Sequence, residues 1–518
     1  MNMPLTPLRF ARRAMTEYPS KVGVVCGEQR FTYAQFAERE GQLGRALKDL
    51  GVRPGDRIAY LSFNCHRLLE AYYGVLEAGA VLLPLNIRLA PPELSFILND
   101  AEATVLFYDD EFLPLLNQFR SDLRTVEHFF SLDKYEELIA GRAPLHADVM
   151  EFDETALAEL FYTSGTSGNP KGVMLTHRNI YLHAMNVIAG LGPRDTTVEL
   201  HTIPLFHANG WGRAHSITCM GGRHVMIRRF DPAQVFALVE RERVESFSMV
   251  PTMAIALINC PARAGRDLSS LRYVNIGGAA SSPELVAQVE ACLGGQCLSG
   301  YGLTETCPVM TVAQMKSGLS DPPEHRFARQ AMAGCAFPGV EIRVVDDQMR
   351  DVPCDGQAVG EVVTRGDGIM AGYWKQPEAT ADAFKGGWFH TGDLAVMDQD
   401  RYILIVDRKK EIIVSGGENI SSLEVEKALL AHPAVYECAV IPVPDDRWGE
   451  VPKAMVSLKP SQSVTEADLI AFCRQRLAGY KVPKTVEFLP ELPKSGTGKI
   501  LKRVLREKYW EHLAKRVN

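Results

Sequence analysis

Residues 231–251 read DPAQVFALVERERVESFSMVP, and this stretch decides the fold class. Asp231 before Pro232 makes a helix start: the aspartate can accept an orphan N–H, and proline's fixed φ suits a first-turn position. Val235, Phe236, Leu238 and Val239 supply an apolar stripe. The run at 244–250 then reads as a strand that stops at Pro251. Ser282-Pro283-Glu284 opens a second helix of this kind, ended by Gly294-Gly295. Helix and strand alternating in this way predict an α/β body with largely parallel, buried sheets.

The pattern persists over roughly the first four hundred residues and changes after about Asp407. Beyond that point the sequence predicts a helix over 422–430, strands at 436–443, 453–458 and 484–489, and a helix to Leu477 opened by the Thr465/Asp468 capping pair. This is a compact α+β domain of roughly a hundred residues. The expected division is 1–407 and 408–518. A chain of 518 residues is in any case too long for one ordinary core. The charged stretch Asp407-Arg408-Lys409-Lys410-Glu411 reads, by composition, as a solvated turn more often than as a hinge.

Hydrophobic residues make up 46% and charged residues 23%, the balance of a globular protein. The net charge of −7 removes the basic footprint expected of a nucleic-acid binder. Eleven cysteines, an odd number with no C-x-x-C, argue against a fully paired disulfide framework and for a reducing cytoplasm. Arg9, Arg12 and Arg13 are followed by Thr16-Glu17-Tyr18-Pro19 rather than the apolar run of a signal peptide. The longest apolar run, around 72–85, is interrupted by Glu77 and is too short for a membrane span.

The strongest local signal is Tyr162-Thr163-Ser164-Gly165-Thr166-Ser167-Gly168-Asn169-Pro170-Lys171-Gly172. Small residues let backbone N–H groups approach an anion, hydroxyls donate further, and the lysine adds a point charge; a polyphosphate is held in this way. Pro170 excludes a Walker A loop, and Asn169 excludes a G-x-S-x-G nucleophile elbow.

This segment resembles the phosphate loop of the adenylate-forming (AMP-binding) superfamily, and Trp211 with Ser415-Gly416-Gly417-Glu418 resembles its medium- and long-chain fatty acid–CoA ligases. Gly277-Gly278-Ala279, Gly300-Tyr301-Gly302-Leu303-Thr304-Glu305-Thr306, His390-Thr391-Gly392-Asp393, Asp407-Arg408 and Ser495-Gly496-Thr497-Gly498-Lys499 follow in the family's order, from about residue 10 to about 510. The resemblance implies a large multi-sheet α/β domain with a small mobile α+β domain. It implies ATP-dependent activation of a carboxylic acid as acyl-AMP, then transfer to coenzyme A, with Mg²⁺ assisting.

By the same resemblance Thr163, Ser164, Gly165, Thr166, Ser167, Gly168 and Lys171 hold phosphates. Gly277, Gly278 and Ala279 meet the adenine edge, and Tyr301 with Gly302 its face. Asp393 binds the ribose and Arg408 the ribose or α-phosphate. Thr304 donates to the α-phosphate, Glu305 ligates Mg²⁺, and Lys499 bridges carboxylate and α-phosphate. In Pro204-Leu205-Phe206-His207-Ala208-Asn209-Gly210-Trp211, His207 closes the acyl pocket and Trp211 either gates the fatty-acyl tunnel or is plain core; Ser415, Gly416 and Gly417 line the pantetheine path; Lys410 is the hinge. Competing readings are an adenylation enzyme serving a carrier protein, a ligase for aryl or short functionalised acids, and a nucleotide-binding regulator without chemistry. The sequence leaves the acid open, and with it the oligomeric state, a homodimer included.

Overall fold

The computed structural model describes residues 2–163, 169–319, 322–409, 411–416, 418–445, 447–496 and 498–510, and every count below refers to these. Asp231 caps the helix Pro232–Glu242 by accepting from Gln234 N at 2.8 Å. Val235, Phe236 and Val239 are buried beneath it, each side chain worth roughly 1.5–3 kcal/mol of apolar transfer. The strand that follows is Ser246–Met249. It lies parallel between Tyr273–Ile276 and Val198–His201.

Among the described residues these belong to a nine-stranded sheet. It continues on one side through Arg223–Met226 and Val22–Cys26 to an antiparallel edge, Gln29–Thr32. On the other it runs through Gln296–Gly302 to the antiparallel strands Val309–Val312 and Cys335–Ala336. A buried ion pair of 2.6 Å joins Arg213 to Glu199 behind it.

A second, seven-stranded sheet is built on the parallel strands Val81–Pro84, Arg57–Leu61, Ala103–Tyr108 and His128–Ser131. Its antiparallel pair Leu157–Thr163 and Lys171–Thr176 flanks the hydroxyl-rich loop. The apolar run 72–85 forms the end of the buried helix His66–Glu77 and the strand Val81–Pro84, so it is core. Among the described residues no helix is long and apolar enough to cross a membrane. All eleven cysteines are free thiols. A third sheet is antiparallel: Val340–Val345, Gly360–Gly366, Phe389–Met397 and Ile403–Arg408.

The remaining sheet starts at Ile413–Ser415 and Glu418–Ile420 and centres on the hairpin Val435–Asp445 and Gly449–Leu458, with Thr485–Phe488 alongside. The helix Ser422–Leu430 has the expected bounds. The hairpin strands are longer than expected. Pro442 and Pro452 face each other across it and so withhold donors from the same rung. The Thr465/Asp468 capping box forms, but its helix, Glu466–Arg474, ends short of Leu477.

Lys409 is an exposed turn residue, but Asp407 and Arg408 end the strand Ile403–Arg408, so the solvated-turn reading is corrected for them. Asp407 is fully buried and accepts from Ser422 N at 2.6 Å and Ser422 Oγ at 3.2 Å. Burial raises its carboxyl pKa, with Lys502 opposing. Ser422 Oγ in turn accepts from Lys502 Nζ at 2.6 Å. A composition argument misses this because the groups that meet Asp407 lie fifteen and ninety-five residues away.

Candidate active site

The site gathers at the C-terminal ends of the parallel strands, where open α/β sheets present loops to ligands. Tyr273–Ile276 runs directly into Gly277-Gly278. A Cβ on Gly277 would stand 2.9 Å from Gly300 O, so glycine is needed where these two backbones approach. Gly278 has φ +75° and, like Ala279, is exposed. Gly302 is fixed by packing: its Cβ would lie 1.8 Å from Pro308 O.

Asp393 and Arg408 are cross-strand partners in the third sheet. Arg408 Nε donates to Asp393 Oδ1 at 3.0 Å, and Tyr301 Oη donates to Asp393 Oδ2 at 2.6 Å. The carboxylate has roughly four acceptor sites, so two donors leave capacity for a ligand's hydroxyls. Burial and the neighbouring carboxylate keep Tyr301 protonated as a donor by raising its pKa well above 10.

Thr304 and Glu305 lie on the single turn Thr304–Thr306 that follows Tyr301. Burial raises the Glu305 carboxyl, which accepts from Tyr373 Oη at 3.0 Å. Lys171 Nζ stands 4.7 Å from the centroid of that same tyrosine ring. Tyr373 thus links the lysine after the hydroxyl-rich loop to Glu305. Nothing in its local sequence marks it, since the link is made only when Gly372–Tyr373 pairs with Lys171–Thr176. Thr163 ends the strand that enters the loop. Ser164, Gly165, Thr166, Ser167 and Gly168 lie outside the described residues.

The Lys499 loop docks against the large α/β body. Arg88 Nη1 donates to Ser495 O at 2.9 Å and Thr252 Oγ1 to Gly498 O at 3.3 Å. A Cβ on Gly496 would come within 2.3 Å of Asn86 Oδ1, which accounts for that glycine. Lys499 is pushed down to about 8, first by burial and then by Arg408, with Glu411 and Asp393 opposing. His207 is pushed down to about 4 by burial and by the Lys499 charge, so it is a neutral imidazole at ordinary pH. Lys499, Arg408, Asp393 and His207 therefore share one electrostatic neighbourhood. Glu411 belongs to it as well and escaped the sequence reading inside its charged run.

His207 leads into an unusual turn. Ala208, Asn209, Gly210, Trp211 and Gly212 all have positive φ, at 43°, 46°, 61°, 58° and 77°. Left-handed backbone costs roughly 1–2 kcal/mol for a non-glycine residue, and three such residues occur here. The turn lays the indole of Trp211 against the glycine segment, 3.4 Å from where a Cβ on Gly277 or Gly278 would stand. Trp211 is also packed among core residues around Val250 and Ile276.

Ser415 and Gly416 lie elsewhere. Ser415 pairs with Gly449, Gly416 N donates to Trp448 O at 2.8 Å, and a Cβ on Gly416 would meet the Trp448 ring at 2.6 Å. Gly417 and Lys410, the expected hinge, are outside the described residues. The described residues contain no group of three or more His, Cys, Asp or Glu able to hold a metal. Mg²⁺, which keeps most of its waters and binds through one or two carboxylates plus phosphate oxygens, fits a lone Glu305 better than it would fit an all-protein cage.

Comparison with known proteins agrees with this geometry. Residues 10–374 match the AMP-binding enzyme family and residues 424–499 the AMP-binding enzyme C-terminal domain. A long-chain-fatty-acid–CoA ligase of Thermus thermophilus is 39% identical over 93% of this chain and 90% of its own. A feruloyl-CoA synthase of an Amycolatopsis species is also 39% identical, over 97% and 98%. The crystal structure of the anthranilate CoA ligase AuaEII in complex with anthranoyl-AMP superposes with a TM-score of 0.90 at 28% identity, covering 98% of each chain. The chain thus belongs to the AMP-binding enzyme family, as one of its acyl-CoA ligases.

Proposed function

We propose that the protein activates a medium- or long-chain fatty acid with ATP and transfers the acyl group to coenzyme A. In the first step a carboxylate oxygen attacks the α-phosphorus, the bond to the β-phosphate bridge breaks, and pyrophosphate leaves. In the second the thiol sulfur attacks the acyl carbon, the C–O bond to AMP breaks, and the thiol proton is released. The observation that carries this reading is the position of Lys499 beside Arg408, Asp393 and His207. Two anions must meet for adenylate formation, and cations held in a partly dry site lower the barrier as charge gathers on the phosphorus.

Asp393 accepts the ribose hydroxyls, Thr304 and Arg408 contact the α-phosphate, and Lys171 with the loop before it holds the outer phosphates. Glu305 would hold Mg²⁺, which supplies charge neutralisation at the phosphate oxygens. Two steps at one adenylate call for two arrangements. Residues 408–518 act as the mobile part, hinged at Lys410, with Lys499 turned inward first and Ser415-Gly416-Gly417 turned in later to admit the thiol arm.

Trp211 is the wall of the acyl pocket. Its near-complete burial against Gly277-Gly278 supports a gate that an entering chain displaces. The same flat indole favours a second reading, an aryl acid stacked upon it. ATP–pyrophosphate exchange with a homologous series of straight-chain acids and a set of aryl acids tests both. Exchange that rises with chain length supports the fatty acid reading, and exchange confined to aryl acids replaces it. Exchange that persists while free coenzyme A fails to release AMP points to a carrier protein as acceptor.

A further inference from the structure

The wall of the acyl pocket rests on a buried carboxylate that the reaction does not use. Glu159 lies on the strand Leu157–Thr163, four residues before the hydroxyl-rich loop, and its side chain is fully buried. Both of its oxygens are engaged by groups from the segment that carries Trp211. Oε2 accepts from Asn209 Nδ2 at 3.0 Å, and Oε1 is 2.7 Å from His215 Nε2. Asn209 Oδ1 accepts from Gly212 N at 2.7 Å, so one amide side chain ties Glu159 to the far end of the left-handed turn.

Ala208–Trp211 is a single helical turn of left-handed residues, and its φ values are ones that alanine and tryptophan resist. Strained backbone persists only where the surroundings over-determine it. The over-determination is visible. Tyr72 Oη donates to Leu205 O at 2.6 Å before the turn and Tyr73 Oη to Ala214 O at 3.1 Å after it. Both tyrosine rings meet His215 edge-on, with centroids 5.5 and 5.6 Å away. Those contacts fix the ends. The middle, where Trp211 is aimed, is fixed by Glu159 through Asn209.

We propose that Glu159 is a positioning residue for the acyl substrate: with Asn209 it clamps the left-handed turn so that Trp211 lies on Gly277-Gly278, and it thereby sets which acids the pocket admits. This rests on the fatty-acid ligase reading above.

The test exploits isosteric amide–acid exchange. Glu159→Gln alone leaves one acceptor oxygen where Asn209 Nδ2 and His215 Nε2 each have one now, and Asn209→Asp alone sets carboxylate against carboxylate. The double variant restores complementarity with the direction reversed. The new amide at position 159 donates to the new carboxylate at position 209 and still accepts from His215, while that carboxylate still accepts from Gly212 N. Each single variant should raise KM for the preferred acid about tenfold, the change for a buried hydrogen bond lost, and shift the chain-length profile, while KM for ATP stays within about twofold. The double variant should recover the wild-type profile.

Asn209→Gly is the companion. Glycine accepts the left-handed backbone without strain but cannot clamp it, so the chain folds and the profile broadens. Indole emission from Trp211, obtained as the difference from Trp211→Phe, should shift in both single variants and in Asn209→Gly and return in the double. This readout needs no turnover. A wild-type enzyme that exchanges pyrophosphate with no fatty acid would sink the ligase reading while leaving the clamp measurable. The clamp itself is overturned if Asn209→Gly keeps the wild-type profile and emission, or if the double variant folds but recovers neither.

Discussion

Replacing Lys499 with methionine removes a charge and keeps an apolar stem of similar reach. The folded protein holds this amine at about 8, against 10.5 for a free lysine, with burial as the leading cause. Between those two values the unfolded chain keeps a proton that the folded chain has released, so this group makes stability rise with pH across that window. Below about 8 both states are protonated and the folded state carries the whole penalty, roughly 2–3 kcal/mol for a half-buried amine partly screened by solvent. At about pH 7 Lys499→Met should therefore unfold at a higher denaturant midpoint than the wild type. Its adenylate formation should fall by about 10²–10³-fold, the loss for one preorganised charged donor. Thioester formation from supplied acyl-AMP should persist. In the wild type, kcat/KM of the first half-reaction should decline as pH rises through about 8, as the ammonium is lost, and this limb should be absent in Lys499→Met. Chemical denaturation with single-turnover assays of each half-reaction checks all of this. A Lys499→Met protein that is less stable than wild type at about pH 7, or in which both half-reactions fall together, would refute the reasoning.

Trp211→Ala should move the chain-length preference while leaving KM for ATP nearly unchanged, since each methylene admitted is worth roughly 0.8 kcal/mol; a lowered melting temperature with an unaltered profile would show Trp211 to be core alone. Lys410→Pro should spare adenylate formation and slow transfer to coenzyme A, because proline fixes φ where rotation is needed; quench-flow should detect enzyme-bound acyl-AMP accumulating, and wild-type transfer rates would remove the hinge from 410. Arg213→Ala should destabilise the large sheet by roughly 3–5 kcal/mol, since Glu199 would be left as an unpaired buried charge, and thermal unfolding followed by circular dichroism measures it.

The sequence by itself determined the fold class, and its resemblance to a known family named the candidate site residues. Asp231-Pro232 and Ser282-Pro283 are local signals whose hydrogen bonds close within three residues, and both helices start where those signals stand. The ordered motifs, read through the family resemblance, point to Asp393, Arg408, Glu305 and Lys499. Other features are properties of approach between distant segments. Tyr373 reaches Glu305 across sixty-eight residues, and Asp407 is buried by a helix start fifteen residues on. Glu159 meets Asn209 fifty residues along the chain. The left-handed turn at 208–212 contradicts the preferences of its own alanine and tryptophan, and only partners brought by the tertiary fold make it the lower-energy choice. Local propensity is written in neighbouring residues and can be read from them; burial, electrostatic neighbourhood and strain exist only once the sheets have closed around them.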